Sequence, residues 1–240
     1  MLYHHVDNIV PSDLKSLGLR KRDRLDLGES INFCNTSNYV LRTLGSTTPE
    51  VYLKQGIGEE IINAPIYPAT LLIPANAFEN YPQRDLLFHI GRSATLARPD
   101  FVLATMYAPG DLLEFLEATI SLYVNNYPVT TDEERLAGLR KMIDKGMPRK
   151  MKPQLEQYVT EFLKQRDSFD FNAWYTSLFL TANRAGTIIC NDLATATKWV
   201  EKYAEGESDA WIEAQKYDLL TYWTSEQYAY IRRKLGFSIV

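Results

Sequence analysis

The stretch EIINAPIYPATLLIPANAFENYPQRDLLFHIGRSATLARPD, residues 60–100, decides the fold. Its first half is short, apolar and broken by proline. Ala69, Thr70, Leu71, Leu72 and Ile73 have strand character, and Pro68 and Pro74 bracket them. Proline cannot donate to a ladder, so this bracket predicts an edge position. Two further strand-like segments, Val51 to Leu53 and Glu60 to Ile62, are separated by Gly56, Gly58, Pro65 and Pro68, and together they predict a small antiparallel sheet over about residues 50–74. The second half changes period. Leu86, Leu87, Ile90, Ala94 and Leu96 share one broad face from Gln83 to Ala97, and Pro99 stops the run.

Outward from this stretch the pattern is almost entirely helical. Ser30 is placed to cap a helix that runs to Leu44 and stops at Gly45. Downstream helices are predicted at about 101–107, 111–124, 153–165, 171–190, 192–203, 209–222 and 225–235. Thr131 and Glu134 have capping-box spacing for another that ends near Gly146, and Gly146 to Lys152, with Pro148, Arg149, Lys150 and Lys152, reads as an exposed linker. The fold class is therefore α+β and predominantly helical. One domain over residues 1–240 is expected, with an N-terminal arm over about 1–29 and a helical insertion over about 109–168.

Composition removes several function classes. A formal net charge of -4 gives no field that would draw the chain to nucleic acid or to an anionic membrane. No apolar run approaches the roughly 18 residues of a spanning helix. Cys34 and Cys190 belong to no C-x-x-C pair, and the N-terminus has no basic and apolar export pattern, so a cytoplasmic protein with reduced thiols is expected.

Residues 60–100 also resemble the core of the zinc metallopeptidase family of HtpX and the CAAX prenyl proteases. The likeness rests on the approach Asp85-Leu86-Leu87-Phe88-His89-Ile90 and the closing Arg98-Pro99-Asp100. It extends over roughly 33–105 and 170–200, and the family's pattern of a strand, an H-E-x-x-H helix and a later helix with the third ligand then implies a zincin-like core. Aligned on that pattern, Gly91 stands at the first histidine, Arg92 at the glutamate and Thr95 at the second histidine. On the later helix Thr181 stands for the ligating glutamate and Asn183 for the following aspartate. The resemblance therefore implies a degenerate relative, similar to the peptidase-like domains that follow helical repeats in some large bacterial proteins.

The chemistry can be judged from the residues themselves. A zinc hydrolase needs two imidazoles one helical turn apart, a third ligand and a carboxylate base. The chain has three histidines, His4, His5 and His89, and none form an i, i+4 pair. Arg92 would repel a metal and cannot accept a proton, and if buried it calls for an acidic partner or several carbonyls. No metal, no cofactor and no catalytic residue is expected.

Other candidates have structural explanations. His89 with Asp85 at i-4 is a packing or surface pair, the two cysteines are buried thiols, Gly56 and Gly58 form a turn, and the basic runs at Arg20 to Arg24 and Pro148 to Lys152 are solvated surface. The C-terminal seventy residues are unusually aromatic, from Phe169 and Trp174 to Tyr228 and Tyr230, which serves a core and supplies interface anchors. The expected function is a non-catalytic, peptidase-like interaction or scaffolding domain with a protein partner. In its specific form, Ala69, Thr70, Leu71, Leu72 and Ile73 offer an edge to an extended peptide. The rivals are a hydrolase with a relocated active site and a structural subunit of an obligate assembly.

Overall fold

A computed structural model describes residues 14–29, 31–64, 66, 68–75 and 80–237. Ser30, His4, His5 and the first thirteen residues of the expected arm lie outside them. The described chain is 62% helical, with one small three-stranded mixed sheet, and so belongs to the α+β class. It divides into two compact units, one formed chiefly by 99–176 and the other by 19–64, 68–98 and 177 onward.

In the second unit, helix α1 (Asn32–Leu44) is followed by strands β1 (Glu50–Lys54), β2 (Ile62–Ala64) and β3 (Thr70–Pro74) and by helix α2 (Gln83–Leu96). Helix α1 stops where expected: Gly45 takes the left-handed conformation at φ 61°, and Ser46 donates back to Leu41 O. The sheet departs from the expected arrangement in two ways. Its order is β1-β3-β2, so β3 is central and not an edge, and β1 pairs with β3 in parallel while β2 pairs antiparallel. The physical reason lies in the side chains. Every residue from Thr70 to Pro74 is buried, as in a central strand covered on both faces, and the prolines flank the strand without interrupting it. Pro74 occupies the last rung of the ladder, where Ala75 N donates to Lys54 O instead. Within the peptide-docking edge expected at Ala69 to Ile73, Thr70 to Leu72 are therefore already paired on both sides. The outer side of β1 is met by Leu25 N, which donates to Val51 O.

One face of this sheet packs with α1 and α2 around Phe33, Cys34, Val40, Val51, Leu71, Ile73, Leu86 and Ile90. The C-terminal helices α7 (Phe171–Cys190), α8 (Leu193–Tyr203), α9 (Asp209–Trp223) and α10 (Glu226–Lys234) follow. Three have side-chain caps that their sequences advertise: Asp192, Ser208 and Ser225 accept from Thr195 N, Trp211 N and Tyr228 N. Phe88 of α2 meets Cys190, Ala196, Trp199, Val200 and Leu219 in a second cluster, and of the C-terminal aromatics Trp199, Tyr222 and Tyr228 are buried. Arg232 closes the C-terminal end of α7 by donating to Ile188 O.

The first unit contains a short helix α3 (Leu103–Met106), then α4 (Pro109–Ser121), α5 (Glu133–Gly146), α6 (Lys152–Leu163) and the opening residues of α7, whose chain passes between the units after Thr176. Leu136, Leu139 and Ile143 of α5 pack on Phe115 and Ala118 of α4 and on Leu155 of α6. The segment expected as a linker is a 3-10 turn, Arg149–Met151, that leads straight into α6. The capping box expected at Thr131 is not formed. Asp132 caps α5, because Thr130 and Thr131 are drawn to Glu117 instead: its buried carboxylate accepts from both backbone N–H groups and both hydroxyls at 2.6–3.0 Å.

Candidate functional site

The positions singled out by the family likeness lie on α2 and α7, within the second unit. These two helices cross closely because each has a glycine at the crossing. A Cβ on Gly91 would sit 3.0 Å from Gly186 Cα, and one on Gly186 would sit 2.8 Å from Phe88 O. The next residue on α2, Arg92, is only 8% exposed, and it points to α7. Its Nε donates to Asn183 Oδ1 at 2.9 Å, and Asn183 Nδ2 passes the chain on to Gln215 Oε1 of α9 at 2.8 Å.

Thus Gly91, Arg92 and Asn183 are brought together, and the other two positions are not. Thr95 is buried, but its hydroxyl turns back along α2 to Gly91 O at 2.9 Å. Thr181 is exposed and bonds Ser177 O within α7, so the α7 residue that faces Arg92 is Asn183. The acidic partner expected for Arg92 is also absent among the described residues. In its place the Tyr203 ring lies under the guanidinium, with the carbon 3.8 Å from the ring centroid. A neutral amide and a ring face compensate a buried charge less fully than a carboxylate, and burial accordingly lowers the Arg92 pKa.

Tyr203 of α8 ties the site to the sheet. Its hydroxyl accepts from Ile61 N at 3.1 Å and lies 3.2 Å from Ile61 O and 2.8 Å from His89 Nδ1. It has one proton for two acceptors. If it donates to Ile61 O, it accepts from His89 Nδ1–H and leaves Nε2 as a bare acceptor; the other tautomer would bury an unpaired N–H, because Nε2 has no partner. Asn63 of β2 completes the fastening by donating to Ser93 O of α2 at 3.0 Å.

His89 does not pair with Asp85. Asp85 holds Lys198, while His89 is fully enclosed among Tyr81, Phe88, Trp199 and Tyr203. Burial first, and then the positive charges of Arg92, Lys198 and Lys202, push its pKa down to about 3. Burial pushes the Tyr203 phenol up to about 12 and the Cys190 thiol to about 12, so both stay protonated at neutral pH. An imidazole with no exposed surface cannot reach a substrate proton, and these groups form a neutral scaffold around one cation.

Tyr203 and Gln215 were not singled out in the sequence. A signal for Tyr203 existed in the aromatic excess of the C-terminal region; for Gln215, one polar residue in an uneven helix, there was none. Among the described residues no three His, Cys, Asp or Glu side chains gather in one place, and no helix is long and apolar enough to cross a membrane. No protein-family model, no curated protein and no solved structure matches this chain.

Proposed function

We propose that the chain is a non-catalytic, peptidase-like protein-interaction domain whose former metal-site region has become a structural core. The observation that carries this reading is the α2–α7 crossing. Where a zinc hydrolase places a water-activating carboxylate, Arg92 extends a guanidinium that is locked to Asn183 and laid on Tyr203. A fixed cation there opposes both metal binding and proton abstraction. The interaction half of the reading is supported by the surface of the same unit: Tyr217 is 72% exposed and Leu220 50% exposed, three residues apart on α9, with Tyr230 of α10 also exposed. Tyrosine is a favoured interface anchor, and no internal packing accounts for its exposure here.

The test is casein cleavage by the purified chain with and without a chelator, together with partner binding by a Tyr217→Ala, Leu220→Ala variant. No cleavage, and loss of the partner by a variant with wild-type circular dichroism, is the expected result. Chelator-sensitive cleavage would overturn the first half, and undiminished binding the second.

A further inference from the structure

In the first unit, α4 and α6 each turn residues at helical spacing toward one groove: Leu116 and Ile120 from α4, and Leu155, Val159 and Phe162 from α6, with Leu103 of α3 beside them. The groove has a volume of about 330 Å³, at the lower end of the roughly 300–1,000 Å³ of small-molecule sites. Its depth shows in the burial of its lining. Ile120, Leu155 and Val159 are buried and form the floor, Leu103, Leu116 and Phe162 are half-buried walls, and Asp100 and Tyr158 are exposed at the rim. Thr119, a polar residue of the floor, spends its hydroxyl on Phe115 O at 2.7 Å, so it asks nothing of a ligand. Charge enters at the rim. Among the described residues that line the groove, Asp100 alone is ionised at neutral pH, and none is a lysine or arginine. The lysines at the two ends of α6, Lys152 and Lys164, pair with Asp144 and Glu161.

We propose that this groove binds a cationic amphiphile, with a hydrocarbon chain along the trough and an ammonium head at Asp100. The aliphatic and aromatic lining gains from covering apolar surface and offers a chain nothing to hydrogen-bond. At the roughly 30 Å³ that a water occupies in the liquid, 330 Å³ holds about eleven non-hydrogen atoms, the size of a chain of about ten carbons ending in one nitrogen. Charge selects the head. An ammonium at the rim stays partly hydrated and gains a charge-assisted hydrogen bond to Asp100, whereas a fatty-acid carboxylate would set a second negative charge beside it with no cation in the lining to offset the repulsion. Asp100 need not be otherwise unengaged, because an ionised carboxylate accepts at about four lone-pair sites. The site belongs to the first unit and goes beyond the proposed function, which rests on residues of the other.

The experiment titrates the full chain at neutral pH with decylamine, decanol and decanoate, each below its micellar concentration, and follows the methyl resonances of Leu155 and Val159 by NMR. Decylammonium is expected to shift them saturably, with a midpoint of roughly 10–100 μM for a ligand of this size. It should bind several-fold tighter than decanol and about tenfold or more tighter than decanoate. Leu116→Trp, which extends an indole from the wall into the trough, should abolish the shift. Asp100→Asn should keep decanol binding and erase the preference for the ammonium. No saturable shift with decylammonium, an undiminished shift in a folded Leu116→Trp chain, decanoate binding as tightly as decylammonium, or an unchanged preference in Asp100→Asn would each overturn the proposal. Should Leu116→Trp fail to fold, intermolecular NOEs in the wild-type chain replace it: contacts from the decyl chain to the Leu155 and Val159 methyls support the site, and their absence at saturation overturns it.

Discussion

Replacing Gly186 by alanine sets two opposed effects against each other. Alanine in a helix interior is better than glycine by about 1 kcal/mol. At Gly186, however, the new Cβ would lie 2.8 Å from both Phe88 O and Phe88 Cδ2. Ordinary contact begins at 3.4 Å, so α2 would have to withdraw by about 0.6 Å, the difference between 3.4 and 2.8 Å. The oxygen belongs to the α2 backbone and cannot rotate away. Such overpacking costs about 1–3 kcal/mol, and the obstructing backbone puts this case at the upper end. Subtracting the propensity gain leaves a net loss of about 1–2 kcal/mol, equivalent to a fall in melting temperature of roughly 2–8 °C for a chain of this size. Gly138 on α5 is the control. It is exposed and its Cβ would meet nothing within 4 Å, so Gly138→Ala should gain about 0.5–1 kcal/mol. Urea unfolding followed by circular dichroism measures both. A Gly186→Ala chain as stable as wild type, beside a Gly138→Ala chain that gains as expected, would refute the close α2–α7 crossing.

Glu117→Gln should destabilise the first unit by about 1–3 kcal/mol, because an amide cannot accept from all four donors of Thr130 and Thr131; urea midpoints check it. Burial raises the Glu117 pKa, yet those four hydrogen bonds lower it further, and the net shift is downward. Its contribution is therefore complete above the unfolded value of about 4.3 and is lost as pH falls through the folded one. His89 has a depressed folded pKa of about 3, against about 6.5 unfolded. Neutral His89 thus imposes no penalty above pH ~6.5, and stability declines between pH ~6.5 and ~3 by up to about 1.4 kcal/mol per unit. A folded His89→Phe variant should lose that part of the acid slope in urea midpoints measured across this range, and an unchanged slope would show that His89 is not buried neutral. Asp192→Ala should cost about 1 kcal/mol by uncapping α8 at Thr195 N, read as a lower melting temperature.

Periodicity and caps in this sequence carry most of the helical architecture: Gly45, Asp192, Ser208 and Ser225 act locally, and local signals survive into the fold. Strand order does not, because it depends on partners distant in sequence. The prolines beside Thr70 to Ile73 suggested an edge, while burial on both faces placed the strand in the centre. Thr131 shows the same override, since a buried glutamate fourteen residues earlier outcompetes a local capping box. In the site, Arg92 and Asn183 were legible as positions, but their direct bond was not, because the register of α7 against α2 is set by the Gly91 and Gly186 crossing. The aromatic platform under Arg92 was hidden among many aromatics of equal apparent weight.

The central claim is that a buried arginine, held by an amide and a tyrosine ring, occupies the place where zinc chemistry would need a carboxylate. Metal analysis of the chain purified without chelators and then equilibrated with zinc tests this most directly. The account requires zinc far below one per chain after desalting, with the same content in Arg92→Met and wild type. One tightly held zinc per chain, removed by a chelator and associated with hydrolysis of casein, would contradict it.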